Sequence, residues 1–402
     1  MSRESNMRKN SILAILGLSG FVVMADNWVV SPLLPSIAVG IGVEPIRAGL
    51  LITAYMISFG VFQLIFGPLA DRFGKRQVIT AAMIAFTAGT ALSALGSTLT
   101  GLAIYRALTG AFAASVMPIS LALIGDLFPM EERQSAIGTF MGVSFLGQGL
   151  SMAIGGTIAY LASWRGVFAM YAALSVIATT LLLSIGSRIP SQRNPQSKVL
   201  APFAGLLTKR ASVFTYLVVL LEGICILGSF SYLGAYIAHD YHFDNLVIGL
   251  TMTAFGIMAV LGGRVSGPLA ARFGRRSVLT VGLILACIAD AVVFLAGGAL
   301  PALIAGIGFL GLGFMLAHST LLTIATEFAS KARGMAMSLV AFAFMGGGGI
   351  GTAIGGRLIS ARGFTVFYGA YSLALAVLTV LAVIVARDAG SEHQKLVSSR
   401  VE

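Results

Sequence analysis

The chain has 402 residues, of which 57% are hydrophobic and only 10% charged, and its mean hydropathy is +0.94. Soluble domains average about 25% charged residues, so this composition argues against a soluble enzyme or a nucleic-acid-binding domain, although the net charge is +11. The basic residues stand in short turns between apolar runs, which makes a lipid bilayer the expected partner and nucleic acid an unlikely one. Cys225 and Cys287 lie inside apolar runs, and we expect no metal, cofactor or disulfide.

Apolar runs long enough to cross a bilayer, about 20 residues each, predict twelve transmembrane helices. The first follows Arg8 and Lys9 and is too long for a signal peptide. The expected helices are 12–37, 46–69, 78–97, 99–124, 135–161, 166–187, 211–238, 245–269, 278–298, 301–325, 335–361 and 364–386. We therefore predict an N-terminal six-helix bundle (1–187), a cytoplasmic linker (188–210) and a C-terminal six-helix bundle with a short cytoplasmic tail (211–402).

Two basic turns repeat each other 200 residues apart: 67–78 reads GPLADRFGKRQV and 267–278 reads GPLAARFGRRSV. The four residues 153–156 recur unchanged at 353–356. Six helices return the chain to its starting side, so the halves form parallel repeats about an axis along the membrane normal. The predicted fold is an all-α integral membrane protein of two such bundles.

Orientation follows from the basic residues, which favour cytoplasmic loops. With both termini inside, the inner side carries 20 of the 26 lysines and arginines and the outer side three. We expect a multi-pass protein of the cell inner membrane with both termini in the cytoplasm.

The turn between predicted helices 2 and 3 resembles the loop signature of the major facilitator superfamily, G-x-L-a-D-r-x-G-r-r. The matching residues are Gly67, Leu69, Asp71, Arg72, Gly74, Lys75 and Arg76. Leu102-x3-Arg106-x3-Gly110, and Asp26 followed by Leu34-Pro35, resemble motifs of that superfamily's twelve-helix drug:proton antiporters. The resemblance covers the whole chain, and we expect a monomer.

The antiporter motif of helix 5 is matched only in part. Its glycine spacing is kept, but Ser151-Met152 stands where the motif has Gly-Pro, whose proline would bend the helix. Small residues still permit close packing. We assign helix packing to Gly138, Gly147, Ser151, Gly155 and Gly156.

Asp26 lies about 14 residues into helix 1, or roughly 21 Å at the helical rise, which is near mid-membrane. An intramembrane carboxylate is costly and by default functional, so we predict a proton site that also attracts cationic substrate. Arg106 in helix 4 lies at a similar depth, where it could tune the protonation of Asp26. The alternative is a permanent structural ion pair.

Glu222 and His318, in helices 7 and 10, are predicted to share a proton, unless each is satisfied locally. The expected proton-coupling residues are Asp26, Arg106, Glu222 and His318, and the expected substrate cavity adds Asn27 and Trp28. The resemblance makes helix 9 peripheral, so Asp290 is expected to pack against a neighbour.

The resemblance also implies a latch that holds the bundles together on the inner side, carried by Asp71. Its counterpart in the second half is Ala271, so the latch is asymmetric. The predicted latch comprises Gly67, Asp71, Arg72, Gly74, Lys75, Arg76, Asp126 and Arg133, with a similar pair at Glu327 and Arg333. For Asp126 and Arg133 an ordinary solvated ion pair is the alternative.

These features predict a proton-coupled transporter that exports amphipathic or cationic drug-like compounds by alternating access. The missing Gly-Pro pair leaves open a proton-coupled transporter of a defined metabolite, such as a sugar or an organic acid. A membrane sensor or enzyme is a remote alternative, because we find no nucleophile with its base, no metal cluster and no phosphate-binding loop.

Overall fold

The computed structural model describes residues 3–185, 206, 210–328 and 333–398, and these are helical apart from short turns. In this part of the chain, eleven helices are long and apolar enough to cross a membrane. The last of them contains two crossings, because Gly363 interrupts it with φ 79° and ψ 174°. The described residues therefore provide the twelve predicted crossings, which we number spans 1–12.

Spans 1–6, the first bundle, are formed by α1 (Arg3–Trp28), α2 (Val30–Ile41), α3 (Pro45–Ala48), α4 (Leu50–Phe73), α5 (Lys75–Leu95), α6 (Leu99–Ala113), α7 (Val116–Leu127), α8 (Met130–Leu161) and α9 (Trp164–Ile185). Spans 7–12, the second bundle, are formed by α10 (Arg210–Glu222), a π-helical turn (Gly223–Leu227), α11 (Gly228–Ser231), α12 (Leu233–Tyr241), α13 (Asn245–Phe273), α14 (Arg275–Ala296), α15 (Leu300–Phe328) and α16 (Arg333–Ser398). Spans 1, 2, 4 and 7 are thus each built from more than one helical segment.

Several helices extend past the predicted ends at the basic turns. Helix α4 runs to Phe73 and α5 starts at Lys75, with only Gly74 between them. Hydropathy falls where the chain leaves the lipid, but backbone hydrogen bonding continues into the polar interface. The predicted linker 188–210 lies, except for Leu206 and Arg210, outside the described residues.

The two bundles contact each other on the side away from the N-terminus, which we call outer after the predicted orientation. The Ser31 hydroxyl in α2 donates to the carbonyls of Phe230 and Ser231, at 2.8 and 3.1 Å. The Tyr232 hydroxyl reaches the carbonyl of Ile46 at 3.4 Å. These bonds cross from one bundle to the other, so the outer side is closed.

Spans 5 and 8 cross at glycines. A Cβ built on Gly256 would lie 2.6 Å from the Cα of Gly149, and one on Gly156 would lie 2.9 Å from the Cα of Gly249. Only glycine permits backbones this close. Toward the inner side the helices separate, since a Cβ on Gly142 would meet nothing within 4 Å. The structure is closed outside and open inside.

Candidate functional site

Asp26 and Arg106 form a buried ion pair in the first bundle. Arg106 Nη1 donates to Asp26 Oδ2 at 2.7 Å, and Nη2 donates to the Asp26 backbone carbonyl at 3.1 Å. The side chains are 0% and 1% exposed, respectively. The structure thus brings together two charges that are 80 residues apart in the chain.

Aromatic rings from two other spans enclose this pair. The Arg106 guanidinium lies 4.4 Å from the ring centre of Tyr55 in span 2 and 5.4 Å from that of Phe168 in span 6. Such contacts stabilise a cation that has lost its water. These contacts of the pair all lie within the first bundle. Sequence reasoning missed both rings, because depth along a helix says nothing about which rings face a charge.

Trp28 faces the second bundle. Its ring centre lies 5.0 Å from that of Phe230, 5.2 Å from that of Phe255 and 5.9 Å from that of Phe314. At 100° per residue, Asp26 and Trp28 stand on opposite sides of α1. Asp26 therefore points into its own bundle while Trp28 lies between the two bundles, with Asn27, which is buried too, between them in sequence.

Glu222 and His318 form the corresponding pair in the second bundle. His318 Nδ1 lies 3.2 Å from Glu222 Oε2; the carboxylate is 0% exposed and the imidazole 15%. Of the four predicted proton-coupling side chains, only His318 has appreciable exposed surface. Glu222 ends α10, and the π-helical turn starts at the next residue. Such turns are frequent at functional sites.

A continuous row of rings joins the two regions. Phe314 stacks on Phe344 with ring centres 5.5 Å apart and an interplanar angle of 11°. His318 lies 4.1 Å from Phe344 and 5.4 Å from Phe314. Together with Trp28, Phe230 and Phe255, these rings form what we call the aromatic row, which runs from the Asp26 region to the Glu222–His318 pair.

In the basic turn, Lys75 Nζ bonds Asp126 Oδ2 at 2.6 Å, and both residues belong to the first bundle. Asp71 is exposed and takes part in no hydrogen bond or ion pair of the described residues. Arg133 Nη2 donates to the carbonyl of Phe128 at 3.3 Å. The predicted contact of Asp71 with the second bundle is therefore not made in this open-inside conformation.

Other members of the predicted latch occupy the same turn. Arg72 lies over the Phe73 ring at 5.6 Å, Gly74 has φ 99°, and Gly67 faces open space. Arg76 also has an interaction partner. The side chains of Glu327 and Arg333 lie outside the described part.

The five residues of span 5 that were predicted to pack differ in their surroundings. Gly147 packs against the backbone of Phe21, and Gly155 against Val29. Gly156 meets span 8, and the buried Ser151 donates to the carbonyl of Gln148 at 2.9 Å. Gly138 faces open space on the inner side, as a Cβ there would meet nothing within 4 Å.

Two repeated six-helix bundles, closed on one side and open on the other around buried charges, are an architecture typical of membrane transporters. The model of the Major Facilitator Superfamily matches residues 16–243 and 215–400. The chain belongs to this superfamily and is a membrane transporter, as its loop signature indicated.

Relatives and solved structures agree with this family. The uncharacterized MFS-type transporter YceJ of Bacillus subtilis (strain 168) is 27% identical over 374 residues, covering 90% of this chain and 92% of that protein. A Yersinia pestis (strain Pestoides F) protein, provisionally named multidrug resistance protein MdtD, is 30% identical over 183 residues, which are 45% of this chain and 39% of that protein.

The solved structures establish likeness of fold alone. A mutant of the peptide transporter POT has a TM-score of 0.77 at 15% identity and covers 96% of this chain and 99% of its own. A mutant of the nucleoside transporter NupG has a TM-score of 0.75 at 16% identity and covers 94% and 99%.

Proposed function

We propose that the protein is a proton-coupled transporter that exports amphipathic or cationic compounds from the cytoplasm by alternating access. The observation that carries the proposal is the Asp26–Arg106 pair, which holds a carboxylate out of water near mid-membrane. Separating this pair leaves a buried carboxylate that favours a proton or another cation. A proton and a cationic substrate then compete for one group, which is the requirement for exchange.

The Glu222–His318 pair supports the same proposal from the other bundle. Its imidazole keeps some exposed surface, since His318 is 15% exposed while Glu222 is fully buried. An imidazole can accept a proton at one ring nitrogen and release one from the other. A proton arriving at His318 can therefore pass to or from Glu222 without exposing the carboxylate.

The aromatic row supports an amphipathic and cationic substrate. Ring faces attract organic cations, and the row begins at Trp28 between the two bundles and ends at His318 of the Glu222–His318 pair. Arg106 is bonded to the side chain and the backbone of Asp26, which counts against its use for a carboxylate substrate. The MdtD relative, named for multidrug resistance, supports the same substrate class.

The test is transport into liposomes containing the purified protein. We would impose a pH gradient and offer lipophilic cations beside organic acids, for wild type and Asp26→Asn. Gradient-driven cation transport that the variant loses is expected. Unchanged coupling in Asp26→Asn would remove Asp26 as the proton site, and transport of organic acids alone would contradict the substrate class. Glu44→Gln, an exposed carboxylate at the start of α3, is the control.

A further inference from the structure

Asp290 is a buried carboxylate that belongs to neither of the two central pairs, Asp26–Arg106 and Glu222–His318. It lies in the outer half of α14 and is 1% exposed. Its Oδ2 has no hydrogen-bond partner among the described residues. Asp26 has Arg106 beside it and Glu222 has His318, whereas the neighbour that Asp290 contacts is the Ser229 hydroxyl of span 7. A buried carboxylate without a cation is unstable in its charged form.

The surroundings of Asp290 are polar but uncharged. Three titratable side chains are close enough to interact electrostatically with its carboxylate: Cys225 of span 7, and Tyr368 and Tyr371 of span 12. Span 10 packs on α14 through small residues, with Gly313 against Ala286. Within the described residues no element thus supplies a cation to compensate a charged Asp290, and a bound proton would leave the carboxyl group neutral.

A line of titratable groups leads from Asp290 to the outer surface. Tyr368 is 1% exposed, and its hydroxyl also lacks a hydrogen-bond partner among the described residues. Its ring centre lies 5.3 Å from that of Tyr236, which interacts with Asp240 one helical turn later. The Asp240 side chain is 35% exposed and bonds the exposed His239. This line stays inside the second bundle and avoids the aromatic row.

We propose that Asp290 binds a proton that exchanges with the outer surface by way of Tyr368 and Tyr236, separately from the two central pairs. A tyrosine hydroxyl that accepts one proton and releases its own remains neutral, so only a proton moves. The use of this proton in transport rests on the proposed proton coupling, but its binding does not.

Infrared spectroscopy of the purified protein tests the binding without any substrate, so its result is independent of the transport assay. A protonated carboxylic acid has a carbonyl stretching band that a carboxylate lacks. At neutral pH we expect this band at equal intensity in wild type and in Asp244→Asn, whose carboxylate caps α13 at the surface, and at lower intensity in Asp290→Asn. A band of unchanged intensity in Asp290→Asn overturns the proposal, whatever Glu222 contributes to it. Loss of the Asp290 contribution to the band on addition of sodium ions at constant pH would also overturn the proposal, because Asp290 would then bind a metal cation.

The rate at which the band shifts in deuterated water tests the route in proteins that keep Asp290. Tyr368→Phe should slow the shift about tenfold, because it removes the hydroxyl through which the proposed route passes and so raises the barrier to exchange. Tyr371→Phe is the matched control, because that hydroxyl donates to the Gly351 carbonyl and is not on the line. Equal rates in wild type and Tyr368→Phe, or equal slowing in both variants, would overturn the route.

Discussion

The Asp26–Arg106 pair can exist only as a pair. Both side chains are at most 1% exposed, and the bond between them measures 2.7 Å. Desolvating one charge costs several kcal/mol unless a partner compensates it. Any motion that draws the pair apart must therefore be accompanied by a proton or a second cation at Asp26. This condition is what could tie substrate movement to proton movement.

Removing one member of the Asp26–Arg106 pair should therefore lower the free energy of unfolding more than removing both. Arg106→Gln leaves Asp26 buried and uncompensated, and we expect a loss of about 3–5 kcal/mol in the free energy of unfolding. The double variant Asp26→Asn/Arg106→Gln should recover most of this loss. Unfolding in detergent micelles measures both. A double variant less stable than Arg106→Gln would show that the pair is not what compensates these charges.

The basic turn offers a second test at single residues. Gly74 has φ 99°, where a side chain is strained, whereas Gly67 lies inside α4 with nothing within 4 Å of a built Cβ. We expect Gly74→Ala to lower stability by at least about 1 kcal/mol and Gly67→Ala to leave it unchanged or raise it by about 0.5–1 kcal/mol. Unfolding curves of both variants measure these changes in stability, and an equal change in the two variants would contradict the prediction.

At the scale of helices, spans 5 and 8 contain a register of three glycine pairs, of which two are in contact. Gly149 meets Gly256, and Gly156 meets Gly249 seven residues further along. Continued toward the inner side by the same step, the register pairs Gly142 with Gly263, which are apart in this structure. The proposed alternating-access mechanism predicts that Gly142 and Gly263 meet when the bundles rock to close the inner side.

Paired cysteines test the inner register. In a background without Cys225 and Cys287, Gly142→Cys/Gly263→Cys should form a disulfide under mild oxidation, and transport should stop until a reductant is added. The single variants are the controls. Two reactive thiols that never crosslink would mean that the inner ends of these helices do not approach in this register.

The outer seal should open when one of its glycines is enlarged. Gly156→Val forces a side chain into the backbone of span 8, an overpacking worth about 1–3 kcal/mol. We expect faster labelling of Ser31→Cys by a membrane-impermeant thiol reagent added outside. Gly138→Val, in open space, should leave the labelling rate unchanged. The same rate in both variants would show that the glycine contact does not hold the seal.

At the scale of the whole molecule, the two bundles differ in their charges although they share a fold. The first holds a full ion pair with no access to solvent, and the second holds a carboxylate with a partly exposed imidazole. Asp71 in the first basic turn has no counterpart in the second. In the proposed alternating-access mechanism the repeated bundles would provide the rocking motion, and these unequal residues would provide the difference between its two directions.

Much of this arrangement was predictable from the sequence, because lipid imposes length and polarity on every span. The twelve crossings and the family followed from apolar runs and the loop signature, and the depths of Asp26 and Arg106 placed them within reach. The direction of Asp26 was missed, although Trp28, two residues later, marks the opposite face of the helix. The π-helical turn after Glu222 and the aromatic row depend on contacts between distant segments, which no local pattern reports.

The central claim is that substrate moves against protons through Asp26. The most direct measurement is the internal pH of liposomes, read by a trapped dye, after a transported lipophilic cation is added on one side with no initial pH gradient. We predict that wild type moves protons opposite to the cation and that Asp26→Asn moves none. Cation movement without any pH change in wild type, or an equal pH change in the variant, would contradict the account.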